Sequence, residues 1–352
     1  MVAVALATAA ALAVIAAWGL GLVPGSGEEP AAASSDSLGV SDPLSDDSNA
    51  PASAAGDWRL LAGGDVLMDL SERSGFDPFA SISPALGGAE LALVNVEMAI
   101  ATGGEPASKQ FVFRAAPSAA TTMARAGIDA GSLGNNHALD YGLAAGAETV
   151  QHLRSAGVAP VGAGANAAEA YAPATFEIAG TRVAVLGASR VFPTPSWAAG
   201  EGPGLASAYD EPRLLAAVRA AKASHDVVIV MVHWGVEGAS CPNDDQQRLG
   251  AALVRAGASA VLGSHPHVLQ PIASFAGGRV IAYSLGNFVW HPRSGRSGET
   301  GVLELRFRGD RVLGYTFHPH VLDGRGAPAP ASPSDASRIR AQVSASCAAG
   351  GR

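Results

Sequence analysis

The stretch Ala260 to Ile272, AVLGSHPHVLQPI, decides how the chain is read. Ala260 to Leu262 is a short apolar run of the kind that forms a buried strand, and Gly263 interrupts it. His265 and His267 follow, two residues apart. In an extended chain, alternate side chains point to the same side. Both imidazoles can therefore converge on one point just past a strand end. Pro266 between them fixes φ and discourages a helix. Two imidazoles on the rim of a sheet suit a metal ion. The competing reading is a pair of polar loop residues satisfied by hydrogen bonds. The other strand ends bear on the choice.

Trp58 to Ala62 reads as a strand that runs into Gly63-Gly64-Asp65. Leu91 to Val96 is a second, ending Asn95-Val96-Glu97, with Asn95 and Glu97 on one face. Ile128 to Leu133 is a third and leads into Gly134 to Gly142, GNNHALDYG, the most polar run in an apolar neighbourhood. An amide and an imidazole side by side, Asn136 and His137, suit a metal site. Asp140 is placed to orient His137; for Asn135 the competing structural reading is a turn residue in the left-handed region. Val227 to Val232 is the most apolar strand, and it delivers His233-Trp234-Gly235-Val236-Glu237. Trp234 reads as a wall or substrate platform. Glu237 is either a further acid or, the preferred reading, a solvated loop residue. Helical patterns at 78–86, 117–126, 142–156, 211–225 and 244–256 alternate with these strands. That predicts an α/β fold with ligand-binding groups at the carboxyl ends of its strands.

Other features read as structural. The glycine turn VGAGAN (161–166) lacks the rest of a dinucleotide fingerprint. Hairpins are expected over 175–186 and 302–317. His318 and His320 lack the strand-to-glycine switch that precedes His265. Arg279 to Leu285 is a further strand, reaching Gly286-Asn287-Phe288.

The ends of the chain differ from its middle. Residues 1–23 carry no charged side chain and are long enough to span hydrocarbon, so a signal peptide or membrane anchor is expected. Residues 24–56 are Ser, Ala, Asp, Pro and Gly and read as a flexible linker. Together, residues 1–56 hold six acids and no Lys or Arg; the rest carries 25 acids against 23 bases. No basic patch supports nucleic-acid binding. An Ala, Pro, Ser and Gly tail, 323–352, is expected to be mobile. Cys241 and Cys347 either pair, as an oxidising compartment permits, or stay as free thiols.

The assembled donors are Asp65, Glu97, Asn136, His233, His265 and His267, with His137 as proton donor or transition-state stabiliser. Carboxylate, amide and imidazole without thiolate suit one or two Mn, Fe or Zn ions rather than a structural zinc. A carboxylate between two ligand clusters can bridge two ions that clamp a phosphate or carbonyl. No phosphate-loop lysine and no serine nucleophile elbow is present.

The ordered set GGDVLM, NVE, GNNHALDYG, VGAGAN, VHWGVE, GSHPHVLQPI and AYSLGNF resembles the CapA family, linked to poly-γ-glutamate capsule synthesis and similar to calcineurin-like metallophosphoesterases. The resemblance covers roughly Trp58 to Leu322, a single domain of residues 57–322. It implies a four-layer α/β/β/α sandwich with the site at the strand ends. By motif it makes Asp65 the first metal carboxylate, Glu97 the bridging acid, Asn136 the amide ligand and His137 the catalytic imidazole. His233, His265 and His267 complete the set. Three positions depart from the phosphoesterase pattern. Leu67 stands where the opening Asp-x-His pair has its His, so one metal has one ligand fewer. The bridging acid is a Glu, and Ser264 replaces a frequent His. Two readings follow. One is a metal-dependent hydrolase or transferase at the extracytoplasmic face, acting on an anionic polymer or a phosphoester. The other is a non-catalytic partner of membrane synthase or export subunits.

Overall fold

The computed structural model describes residues 56–69 and 76–347. The apolar segment 1–23 and the linker, except Gly56, lie outside them. Among the described residues no helix is long and apolar enough to cross a membrane.

The chain opens on β1 (Asp57–Val66), followed by α1 (Ser83–Leu86), β2 (Leu91–Val96), α2 (Ser118–Arg125), β3 (Ala130–Ser132), α3 (Gly142–Ala156) and β4 (Ala159–Val161). These strands run parallel, β1-β2-β3-β4. A second sheet comes from β5 (Ala174–Ile178), β6 (Thr181–Ser189), α4 (Glu211–Ser224), β7 (Val227–His233), α5 (Asp244–Ala256), β8 (Ala260–Ser264), β9 (Ile272–Phe275) and β10 (Arg279–Ala282). Its order is β9-β10-β8-β7-β6-β5, with parallel strands at the centre. The chain then returns to the first sheet. β11 (Asn287–Val289) pairs with the end of β1, and the hairpin β12 (Glu299–Arg308) and β13 (Arg311–Leu322) extends the sheet antiparallel.

Three apolar layers show why the sequence stacks this way. β1, β2, β7 and β8 alternate their buried side chains between two faces, so each sheet is covered twice. Trp58, Leu60, Leu93, Val185, Ile229 and Leu262 fill the space between the sheets. Leu86, Met123 and Leu153 seal the outer face of the first sheet from α1, α2 and α3. Leu214, Val218, Leu249 and Leu253 from α4 and α5 do the same for the second. This is the expected four-layer α/β/β/α sandwich. Trp58 anchors its far end, stacked on Phe307 at 4.0 Å. α5 begins on a reciprocal cap: the Asn243 side chain accepts from the Gln246 N–H at 2.8 Å, and the Gln246 side chain accepts from the Asn243 N–H at 3.0 Å.

Two expectations are corrected. Trp234 is not a substrate platform: it is 1% exposed, lies in the outer apolar layer and donates to the Tyr283 carbonyl at 2.8 Å. The stretch after Leu322 is not wholly mobile. β14 (Pro328–Pro330) pairs with β13, and α6 (Pro333–Val343) buries Ile339 and Val343 in the inter-sheet core. Two apolar residues one turn apart, with a Ser332 cap and Pro333 at the first turn, suffice to dock a helix that composition alone conceals. The cysteines are paired: Cys241 and Cys347 form a disulfide with a Cα–Cα distance of 5.8 Å.

Candidate metal centre

The parallel strands of both sheets deliver their carboxyl ends to one edge of the sandwich. The first sheet presents Asp65, Glu97 and the Asn135–Asp140 loop; the second presents His233 and the His265–His267 turn. All the donors expected from the sequence meet there. Asp65 and Glu97 are fully buried, and His233 and His265 nearly so.

The donors fall into overlapping sets. In each, one candidate ligand atom per residue lies within 4.8 Å of the others. Glu97, His233 and His265 form one; Asp65, Glu97 and His267 form another. Glu97 belongs to both, as a bridging acid would. Its Oε1 has no hydrogen bond and lies 3.5 Å from His233 Nε2 and 3.7 Å from His267 Nε2. His265 Nδ1 is likewise buried and unpaired. Two orphaned polar atoms with lone pairs, buried together, carry a desolvation cost that a cation would offset. The donor set of carboxylates, an amide oxygen and imidazoles fits a divalent ion.

The histidine turn converges by a different route from the one the sequence suggests. His265 and His267 are not extended. Their φ values are +95° and +56°, in the left-handed region that non-glycine residues seldom enter. Such backbone persists only when its surroundings hold it. Here the His265 N–H faces Asp65 Oδ2 at 3.4 Å, and the His267 carbonyl accepts from Asn287 Nδ2 at 3.2 Å.

A shell of amides fixes each donor. Asn95 Nδ2 lies 3.0 Å from Asp65 Oδ1 and 3.1 Å from Glu97 Oε2. Asn135 is no left-handed turn residue. Its Nδ2 donates to the Val96 carbonyl and Asn95 Oδ1, and its Oδ1 accepts from the N–H groups of His137 and Ala138, both at 2.9 Å. Asn287 Nδ2 also donates to the Ser297 carbonyl, so its Oδ1 faces His267 Nδ1 at 3.0 Å. Ser264 Oγ lies 2.9 Å from His233 Nδ1, which leaves His233 Nε2 facing Asn136 Oδ1 at 2.7 Å. That places the His233 nitrogen nearest Glu97 toward the centre.

Electrostatics separate the members. Burial, then the neighbouring Asp65 charge, holds the Glu97 carboxyl well above its usual range. Burial, then the nearby imidazoles, pushes His233 well down and His265 to about 4. Burial is the largest influence on His267 and works against its charge, but the hydrogen bond to Asp65 at 3.1 Å, the charges of Asp65 and Glu237 and the Asn287 contact together lift the group.

Beside the metal donors sits a proton-handling pair. His137 Nδ1 is 2.7 Å from Asp140 Oδ2, and the same oxygen accepts from the Phe113 N–H at 2.7 Å. Lys109 Nζ reaches Asp140 Oδ1 at 2.5 Å and the Asn136 carbonyl at 2.6 Å. The carboxylate therefore holds the hydrogen on His137 Nδ1 and leaves Nε2 as the reactive nitrogen. Phe113 stacks over His137 at 4.3 Å, and Trp290 packs on His267 at 4.6 Å. These rings take the wall role that Trp234 does not fill.

Sequence reasoning passed over Lys109, although a signal existed: the chain has only two lysines among 23 basic residues, and this is one. It also passed over Asn287 and the hub role of Asn95. Glu237, whose sequence context favours a solvated loop residue, groups its carboxylate with His265 and His267. An apolar cavity of about 510 Å³ lies behind the His137 loop, lined in part by Leu139, Leu143, Val150 and Leu205, and contains none of the donors.

The fold is metallophosphoesterase-like. Residues 53–292 match the family of bacterial capsule synthesis proteins PGA_cap, and the chain belongs to that family. It is 29% identical to the capsule biosynthesis protein CapA of Bacillus anthracis over 80% of this chain and 71% of that one. It is 34% identical to the PGA biosynthesis protein CapA of Bacillus subtilis over 49% of this chain and 46% of that one. Among solved structures, a Staphylococcus aureus protein provisionally assigned as a 5′-nucleotidase, in complex with α-ketoglutarate, superposes with a TM-score of 0.50 at 13% identity. The match covers 82% of this chain and 58% of that one.

Proposed function

We propose that this chain serves capsule or poly-γ-glutamate synthesis as a metal-dependent hydrolase or transferase at the extracytoplasmic face of the membrane. The observation that carries the reading is the buried, unpaired Glu97 Oε1 between two donor sets. The names of the Bacillus relatives support the process. The Cys241–Cys347 disulfide and the apolar segment 1–23 support the location.

Asp65, Glu97, Asn136, His233, His265 and His267 would hold one or two Mn, Fe or Zn ions. A bound ion would polarise a phosphoryl or carbonyl oxygen and activate water. The chain's own residues supply the rest. Asp140, in contact with Lys109 on one oxygen and His137 Nδ1 on the other, fixes the tautomer of His137. His137 Nε2 then takes a proton from the attacking group or returns one to the leaving group. Phe113 lies against the His137 ring at 4.3 Å and meets Trp290 edge-on at 5.7 Å, which makes one side of the site aromatic. The substrate class is a phosphoester or a γ-glutamyl polymer, with membrane synthase subunits as partners.

Elemental analysis of the full-length protein tests this. One or two equivalents of Mn, Fe or Zn are expected, lowered in His267→Ala. In His137→Ala, metal should be retained while turnover of a phosphodiester probe is lost. No metal after reconstitution with each ion would refute the catalytic reading and favour a partner-binding subunit.

A further inference from the structure

The donor inventory is asymmetric. The set around His233 has Glu97, His265 and, through its amide oxygen, Asn136. The set that joins His267 to the first sheet has only Asp65 and Glu97; the other set at His267 groups it with His265 and Glu237. Leu67, two residues beyond Asp65, is 2% exposed, packs in the apolar layer under the first sheet and has no donor atom. A divalent ion held by three protein atoms on that side would be weakly held.

We infer that Glu237 is a metal ligand beside His265 and His267, a carboxylate supplied by the second sheet where Leu67 of the first supplies no donor. The inference rests on the proposed metal centre and deepens it. One carboxylate oxygen of Glu237 and one ring nitrogen each of His265 and His267 lie within 4.8 Å of one another. Independently, His265 Nδ1 is buried without a hydrogen bond in the same group. The Glu237 carboxylate makes no hydrogen bond or ion pair among the described residues. Its charge is felt by both Glu97 and His267.

The loop is built to hold the carboxylate there. The Gly238 N–H, next to Glu237, donates to the Pro266 carbonyl at 2.8 Å, between the two histidines. Gly235 and Gly238 have φ of +89° and +75°, which turns the chain back on either side of Glu237. A Cβ at Gly235 would lie 2.7 Å from the Gln246 side chain. Gln246 in turn donates to Gln270, whose Nε2 reaches the carbonyls of Ala239 and Cys241 at 2.8 and 3.1 Å. The disulfide then ties Cys241 to the C-terminal segment. Val236, 56% exposed, shows that this loop is not held by apolar burial of its own tip. The fixed element is the strip bearing the carboxylate.

The ligand class is a divalent cation on the open side of the centre. Two ions would therefore bind unequally: a tight one on the Asn136–His233 side and a weaker, exchangeable one on the His267–Glu237 side.

The test is Mn(II) titration of full-length, chelator-stripped protein, with free Mn(II) read by EPR and stoichiometry by elemental analysis. Wild type is compared with Glu237→Gln and with Glu177→Gln, an exposed glutamate on the edge strand β5. The expected result is two equivalents in wild type and in Glu177→Gln. In Glu237→Gln the tighter equivalent is unchanged and the weaker falls in affinity about tenfold or more. Equal stoichiometry and affinity in wild type and Glu237→Gln overturn the inference, whether wild type binds one ion or two. A wild type that binds no metal overturns the metal centre itself, a distinct failure. Because Glu237 is exposed and unpaired, urea midpoints of the metal-free proteins should coincide.

Discussion

Acidifying the metal-free protein should cost it stability through His265, by an amount the structure fixes. Folding pushes this imidazole from 6.5 to about 4, chiefly by burial and then by the neighbouring His267. A base whose pKa is depressed by folding binds more protons when unfolded. Its contribution is fully present above pH 6.5 and is lost as the pH falls toward 4. A shift of that size corresponds to about 3 kcal/mol, a large part of the 5–15 kcal/mol typical of a folded domain. His233, also depressed, acts in the same direction. Glu97 and His267 are raised and act oppositely: their contributions are present below their ordinary pKa values and lost as the pH rises. Urea unfolding of EDTA-treated wild type and His265→Gln at pH 7 and pH 4 isolates the one group, since the others are common to both. Wild type should lose about 3 kcal/mol more than the variant over that interval. Parallel pH dependences would show that His265 is not held neutral by its site, and the account of its burial would be wrong.

Three further outcomes follow from the same contacts. Metal binding should release protons, because Glu97 and His267 are raised and must deprotonate to ligate; calorimetric enthalpies independent of the buffer's ionisation heat would contradict this. Replacing Cys241 and Cys347 together by Ser opens a link spanning 106 residues and should cost about 2–5 kcal/mol of stability; an unchanged urea midpoint would show that α6 stays docked by Ile339 and Val343 alone. Lys109→Met removes the cation 2.5 Å from Asp140 and should lower phosphodiester turnover roughly 10²–10⁴-fold with metal content intact, and loss of metal instead would make Lys109 a support for the Asn136 carbonyl rather than for His137.

What the sequence disclosed was local. Asp65, Glu97, His233 and His265 each follow an apolar run by one to three residues, and periodicity finds strand ends well. Their meeting at one edge follows from parallel strands alternating with helices. What it concealed was long-range or conformational. Lys109 lies 28 residues from His137 and reaches it from a loop with no periodic pattern. The convergence of His265 and His267 comes from two left-handed residues, which no residue-type rule anticipates around a proline. Glu237 reads as loop because nothing in VHWGVE shows that Gly238 is pinned to Pro266. α6 was hidden because its anchor is only two side chains in a polar, alanine-rich stretch.

The distribution of charge across the edge explains why the centre and the fold depend on each other. The first sheet contributes the buried carboxylates Asp65 and Glu97, and the second contributes the three imidazoles. Every close approach at the centre between Asp65 and His267, Glu97 and His233, or Asn136 and His233 therefore spans the two sheets. Without a cation, burial holds down His233 and His265 and only His267 is lifted, by its contact with Asp65, so limited ion pairing offsets the desolvation of the two buried acids. A divalent ion would replace that with bonds from both sheets to one point. Such an ion ligates the folded state and not the dispersed chain, so it should raise the global unfolding free energy rather than merely order a loop. Hydrogen exchange gives the distinction. Added Mn(II) should slow exchange across the central strands β1, β2, β7 and β8 together; protection confined to the 235–243 and 265–268 loops would mean that the two sheets do not need the ion to stay joined.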